Sequence, residues 1–123
     1  MYTMKQTCQI VNMNYETLKF YCNQGLIPNV KRNKNNHRIF DDKDINWIKG
    51  LICLKNCGMS IKEIQKYLKL CLNGNNTIPE RKVILNEKCK ELLEKINILN
   101  DAIEYIDQKQ IYYDNILNNM KNY

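Results

Sequence analysis

The carboxyl-terminal third of the chain constrains its fold most strongly. From Arg81 to Tyr123 there is neither glycine nor proline, and Leu85, Leu92, Leu99, Ile106, Tyr113 and Met120 recur every seven residues. Cys89, Ile96, Ile103, Gln110 and Leu117 follow at the complementary four-residue offset. Two such seams are the a and d positions of a coiled coil, here sustained over about five heptads. A helix from Pro79 to Asn119 would be roughly 60 Å long. A chain of 123 residues has too little else to cover that seam, and a strict 3.5-residue period suits a supercoil better than a helix laid along its own domain. The expectation is a dimerisation helix over residues 77–123 that pairs with a second copy. Leu85, Cys89, Leu92, Ile96, Leu99, Ile103, Ile106 and Tyr113 would form the interface. Gln110, polar at a core-like position, is a device for fixing register. The seam itself is compatible with parallel and antiparallel pairing.

Residues 1–72 read as a separate domain built from short capped helices. Thr3-Met4-Lys5-Gln6 and Ser60-Ile61-Lys62-Glu63 have capping-box form. Asn14 can cap a second helix, and Asp41 or Asp42 a third that runs to Gly58, whose lack of a side chain suits a helix stop. Asn73-Gly74-Asn75-Asn76 reads as a loop, and Thr77-Ile78-Pro79-Glu80 as the start of the long helix, with Pro79 tolerated in its first turn. Cys8, Val11 and Leu18 would be buried, with Ile10 and Met13 shaping the turn between the first two helices. Between the second and third helices lie two β-prone pieces, Val30-Lys31-Arg32 and His37-Arg38-Ile39-Phe40, joined by Asn33-Lys34-Asn35-Asn36. Two helices and then a basic hairpin is the order of a winged helix-turn-helix with a two-strand wing. The fold class expected is mainly α.

Charge supports a division of labour. Residues 1–70 hold 12 Lys/Arg and 5 Asp/Glu, a net +7, whereas residues 71–123 hold 7 and 8, a net −1. Lysine-rich composition alone does not explain that asymmetry, which points to nucleic-acid contact in front and protein contact behind. No apolar run approaches the roughly 18 residues that a membrane span needs, and Met1-Tyr2-Thr3-Met4-Lys5 lacks a secretory apolar region. A cytoplasmic, nucleoid-associated protein without membrane partners is expected, and its six cysteines are expected to be reduced thiols. No Cys-x-x-Cys pair occurs and no cysteine is near the single histidine, His37, so no metal or cofactor is expected. No catalytic set of His with carboxylate, Ser with His, or Gly-rich phosphate loop is present, so an enzyme is not expected.

The second helix would present Tyr15, Glu16, Lys19 and Phe20 to the groove of double-stranded DNA, with Thr17 in its first turn. Lys19 can meet a base edge or a phosphate, and Tyr15 and Tyr21 can donate hydroxyls to phosphate oxygens. Arg32, Lys34 and Arg38 of the hairpin can meet backbone phosphates, and His37 is a packing or phosphate-contacting residue rather than a ligand. Among the cysteines, Cys53 shares a helical strip with Lys49 and precedes Lys55, and nearby ammonium groups favour a thiolate. Cys57 falls at a helix carboxyl terminus, where the macrodipole disfavours an anion. Cys53 is therefore the better candidate sensor, with Cys57 as a second thiol, although a free cysteine serves equally as a small packing residue. Cys8, Cys22, Cys71 and Cys89 read as structural. A site for a neutral ligand near the fourth helix and the coiled coil, lined by Tyr67, Tyr105, Tyr112 and Tyr113, is a second possible input. A coiled-coil adaptor that uses the winged module for proteins alone is a third reading.

The chain resembles the MerR family of bacterial transcription regulators. The resemblance lies in Thr17-Leu18-Lys19-Phe20-Tyr21, Gly25-Leu26-Ile27-Pro28, Arg38-Ile39-Phe40, Asp44-Ile45 and Cys57-Gly58-Met59-Ser60-Ile61-Lys62-Glu63-Ile64, and extends into the long helix. It departs from the family's pattern in three places. Lys19-Phe20 stands for an Arg-Tyr pair, Asn36 occupies the region of a common wing glycine, and Cys22 replaces a frequent acidic residue. The resemblance implies a homodimer with an antiparallel coiled coil, bound to a pseudo-palindromic promoter site. It also implies distortion of an overlong spacer so that RNA polymerase can engage both promoter elements. The last cysteine is Cys89, so the cysteines that metal- and redox-sensing members carry after the long helix have no counterpart. Asp44 to Cys53 and Ile78 to Leu85 are similar to the short AdhR/NmlR-like branch of aldehyde- and thiol-stress regulators, which implies an electrophile response at Cys53.

Overall fold

Each helix of the amino-terminal region begins where a side chain replaces a missing backbone partner. The computed structural model describes residues 1–121. In it Thr3 Oγ1 accepts from the Gln6 N–H at 3.1 Å while Gln6 Oε1 accepts from the Thr3 N–H at 2.9 Å, opening α1 (Met4–Val11). Asn12 ends that helix in the left-handed region at φ 55°. Asn14 Oδ1 accepts from the Thr17 N–H at 2.8 Å and opens α2 (Tyr15–Asn23). Asp41 and Asp44 form a reciprocal box at the start of α3 (Asp42–Asn56), and Ser60 and Glu63 do the same for α4 (Ile61–Leu72). The third helix stops at Asn56, with Cys57 as its cap, two residues short of Gly58, which takes φ 88°.

The junction after α4 is tighter than a plain loop. Asn75–Thr77 form a 3-10 turn, and α5 runs from Ile78 to Lys121. Thr77 precedes that helix instead of starting it. Its hydroxyl lies 2.5 Å from the Leu70 carbonyl and 2.8 Å from that of Gly74, and it accepts from Arg81 Nε at 3.0 Å. Those bonds tie the end of α4 and the turn after it to the first residues of α5.

The wing belongs to a sheet with one strand more than the hairpin. Strand β1 (Tyr2–Thr3) pairs antiparallel with β3 (Arg38–Phe40), which pairs antiparallel with β2 (Lys31–Arg32), giving the order β1-β3-β2. Tyr2 opposes Phe40, and Arg32 opposes Arg38. The hairpin turn is closed by Asn33, whose Oδ1 accepts from the N–H groups of Asn35 and His37, and by Asn36 at φ 63°. Asparagine tolerates that left-handed geometry, which explains a turn without glycine.

Leu18, Leu26, Phe40, Ile48, Leu51, Met59 and Ile64 are fully enclosed, with Val11, Tyr21, Ile27, Ile45 and Leu68 around them. Cys8 is only half-buried at the edge of this core. The chain divides into two compact units, Met1–Ile84 and the stretch from Leu85 onward. The second unit holds α5 from Leu85 onward, the first turns of that helix belong to the first unit, and no residue of α5 is buried. Residues 122–123 of the expected dimerisation helix lie outside the described residues.

Two charged links fasten the wing to α3. Lys31 Nζ donates to Asp41 Oδ2 at 2.9 Å and lies 3.9 Å from Asp44 Oδ2, and the Tyr2 hydroxyl donates to Asp42 Oδ1 at 2.7 Å. The Lys31 ammonium, and then the Asp44 backbone N–H, hold the Asp41 carboxyl down at about 2. A depressed carboxyl stabilises the fold fully above its unfolded value near about 4 and loses that contribution as pH falls through the folded value. Urea unfolding across pH 4 to 2 should therefore show a loss of wild-type stability that is flatter in Asp41→Asn, which keeps a capping oxygen but no charge. Phe40→Ala empties a fully enclosed site where strand and helices meet. It should cost about 3–5 kcal/mol in the same unfolding assay at neutral pH.

Candidate nucleic-acid interface

Helix α2 is divided lengthwise. Leu18 and Tyr21, three residues apart, face the core, and this leaves Tyr15, Glu16, Lys19, Phe20 and Asn23 exposed. Tyr15 and Phe20 remain about half exposed. Thr17 is half-buried, and its backbone N–H is committed to the Asn14 cap. Tyr21 is only 7 % exposed. Its ring is a core element against which Phe20 tilts at 6.3 Å, so little of it remains on the surface for a phosphate. The spacing to Leu18 was the sequence signal for that burial.

The wing brings its cations to the same side as the start of α1. Thr3, Met4 and Lys5, Tyr15 of α2, and Arg32, Asn33, Asn36, His37 and Arg38 of the wing line one cleft of about 380 Å³. Three of the expected residues, Tyr15, Arg32 and Arg38, thus share a site, and Lys34 is exposed in the wing turn. Lys5 joins the cleft although no motif around it marks it as a contact residue, because its place depends on β1 pairing with the wing. The Thr3 capping box was the one local clue to its position. Arg32 Nη1 donates to the Asn36 carbonyl at 2.8 Å, and Arg38 Nη2 donates to Asn23 Oδ1 at 2.7 Å. Among the described residues neither guanidinium has a carboxylate partner, whereas Lys31 has two. Burial pushes the Cys22 thiol up, and the nearby Arg38 and Arg32 charges pull it the other way.

The two candidate sensor thiols lie at the far end of α3. Cys53 is exposed, one turn after the exposed Lys49. Cys57 is half-buried, and its N–H donates to the Cys53 carbonyl at 3.0 Å. A separate apolar groove of about 460 Å³ runs between α3 and α4, lined by Trp47, Gly50, Leu51, Leu54, Tyr67 and Leu68, with Lys43, Asn46 and Cys71 completing it. A side-chain carbon added at Gly50 would meet nothing within 4 Å. Burial, and then Cys71, push the Tyr67 hydroxyl up. In the second unit the Lys109 ammonium lies 5.5–5.9 Å from the rings of Tyr105, Tyr112 and Tyr113. Among the described residues no helix is long and apolar enough to cross a membrane, and no three His, Cys, Asp or Glu side chains gather to hold a metal.

Comparison with known proteins accounts for this arrangement. Residues 2–71 match the model of the MerR HTH family regulatory proteins. An uncharacterized HTH-type transcriptional regulator of Haemophilus influenzae is 34% identical over 112 residues, covering 91% of this chain and 83% of its own length. The HTH-type transcriptional regulator AdhR of Bacillus subtilis is 36% identical over 89 residues, covering 72% of this chain and 64% of its own length. Among solved structures, HiNmlR, a MerR family regulator lacking the sensor domain and bound to promoter DNA, superposes with a TM-score of 0.80 at 34% identity. That match covers 92% of this chain and 90% of HiNmlR. A MerR family regulator from Listeria monocytogenes superposes with a TM-score of 0.83 at 28% identity, over 93% of this chain and 86% of its own. Helix-turn-helix, wing, capped third and fourth helices and long final helix together make this chain a transcriptional regulator of the MerR family.

Proposed function

We propose that the protein binds a pseudo-palindromic promoter site as a homodimer and controls transcription by distorting the DNA, with Cys53 as the point at which an aldehyde or another electrophile acts. The observation that carries the reading is the cationic face made by α2 and the wing, where Lys19, Arg32, Lys34 and Arg38 have no carboxylate partners among the described residues. A duplex phosphate backbone supplies the missing anions, and α2 presents Tyr15, Lys19 and Phe20 as the major-groove reader. Phe20 suits apolar contact with a thymine methyl. The promoter DNA bound by HiNmlR supports this use of the fold.

Dimerisation follows from α5. Leu85, Ile96, Leu99, Ile103, Ile106 and Tyr113 are each 41–62% exposed, and Leu92 and Cys89 complete the seam. Each Leu or Ile fully covered by a partner helix stabilises by about 1.5–3 kcal/mol. An antiparallel pair carries one reading head at each end, so the two half-sites are engaged together. Bending the intervening DNA costs on the order of 1–6 kcal/mol, and the signal decides whether protein contacts offset it before RNA polymerase engages the promoter. At Cys53 the thiol adds across the aldehyde carbonyl, its sulfur bonding to the carbon and its proton passing to the oxygen. The exposure of Cys53 and its place one turn after Lys49 support that role. The α3–α4 groove favours a second input, a neutral ligand held beside Trp47 and Tyr67 without covalent chemistry.

Promoter-driven transcription in vitro should respond to aldehyde with wild type and lose the response with Cys53→Ser. A response that survives in that variant and disappears with Gly50→Leu, which fills the groove, would replace the electrophile reading with the ligand one. Leu99→Asp should convert the dimer to a monomer by light scattering and weaken binding to duplex DNA by about 100-fold, because the two heads no longer act together. A Leu99→Asp protein that stays dimeric would remove α5 from the interface.

A further inference from the structure

The two wing arginines are held by neutral acceptors, which leaves both charges open to an anionic partner. Arg32 and Arg38 sit directly opposite each other in the β2–β3 register. Like charges at directly opposed positions destabilise a strand pair. The repulsion is not relieved inside the protein, since among the described residues neither guanidinium meets a carboxylate. Lys31, the adjacent cation on β2, is by contrast neutralised by Asp41 and Asp44. Carboxylates are therefore within reach of the wing, yet the two arginines are anchored by neutral acceptors. Arg32 donates to the Asn36 carbonyl at 2.8 Å, and Arg38 donates to the Asn23 side-chain carbonyl at 2.7 Å. A guanidinium has donors only, so the amide oxygen of Asn23 is the atom that must face it.

We propose that Asn23 is a positioning residue for DNA binding. It fixes the Arg38 guanidinium against the last residue of α2 while leaving its charge uncancelled, so that the opposed Arg32–Arg38 pair forms a phosphate clamp. The proposal rests on the reading of this face as the DNA interface. A neutral anchor does two things that a carboxylate does not. It orders a side chain with large rotamer freedom before binding, and it leaves a full positive charge for the phosphate. One hydrogen bond to Asn23 leaves most of the guanidinium fork open for bidentate contact with phosphate oxygens. Because Asn23 ends α2, the anchor also sets the spacing between the groove-reading helix and the backbone contact. Lys5 and His37, in the same cleft, extend the polar surface that meets the strand.

The test is the salt dependence of binding to a labelled mixed-sequence duplex, measured by fluorescence anisotropy with the full chain. Wild-type affinity should fall linearly in log–log form as salt rises. Asn23→Asp keeps the geometry but cancels the Arg38 charge, and should reduce the slope by about 0.9 per protomer, or about 1.8 per dimer. Arg38→Ala should reduce the slope by the same amount, and the neutral truncation Asn23→Ala should add nothing in the Arg38→Ala background. Asn23→Ala should weaken binding by about three- to ten-fold at fixed salt with the slope unchanged, because the charge survives and its placement is lost. Asn23 is exposed, and Asn23→Gln, which retains a neutral carbonyl, serves as the conservative variant and should keep the wild-type slope. A wild-type slope that Asn23→Asp leaves untouched overturns the clamp. A wild-type protein whose binding does not depend on salt overturns the DNA reading beneath it.

Discussion

The buried turn after α2 holds the reading head together. Gly25 takes φ 69°, and Leu26 and Ile27 are then carried into the core with 0% and 4% of their surface exposed. Backbone buried this deeply needs a partner for each polar group. The Leu26 N–H donates to the Tyr21 carbonyl at 3.1 Å, and the Leu26 carbonyl accepts from Trp47 Nε1 at 2.8 Å. Gln65 Nε2 donates to the neighbouring Gln24 carbonyl at 3.0 Å. A single turn is thus bonded to α2, α3 and α4. It sets the direction in which the chain leaves the recognition helix, and so where the wing stands beside it.

Four of the acidic residues of the first unit are consumed locally. Asp41 and Asp44 cap α3 and neutralise Lys31, Asp42 accepts from Tyr2, and Glu63 completes the α4 cap. None of these bonds reaches Arg32 or Arg38. The net charge of this half therefore understates how concentrated the positive potential is. It falls on the cleft of Lys5, Arg32 and Arg38, where a polyanion can use it, while the carboxylates sit at helix amino termini, where the macrodipole favours them.

What could be read from the chain alone divides by range of interaction. Thr3, Asn14, Asp41 and Ser60 were legible as helix starts because a cap involves residues three apart. The α5 seam was legible because its period is internal to one helix. Strand β1 was not, since two residues acquire strand character only by pairing with β3, more than thirty positions away by the numbering of the Tyr2–Phe40 pair. The hydroxyl of Tyr21 suggests a phosphate contact, while its place one turn after Leu18 assigns its ring to the core. The link between Asn23 and Arg38 spans 15 residues, and nothing in either side chain announces it. Family resemblance supplied the use of the long helix, which its composition leaves open as to direction.

The pairing of β1 with β3 has a practical side. The strand order β1-β3-β2 places Tyr2–Thr3 at a sheet edge, and Thr3, Met4 and Lys5 line the cleft that holds the wing arginines. Anything joined ahead of Met1 leaves the molecule within a few residues of that cleft. An affinity tag rich in acidic residues placed there would act as a tethered competitor for the same cations, at a high effective concentration set by its short linker. A handle for purification or surface immobilisation is better attached elsewhere, where it cannot reach the face under study.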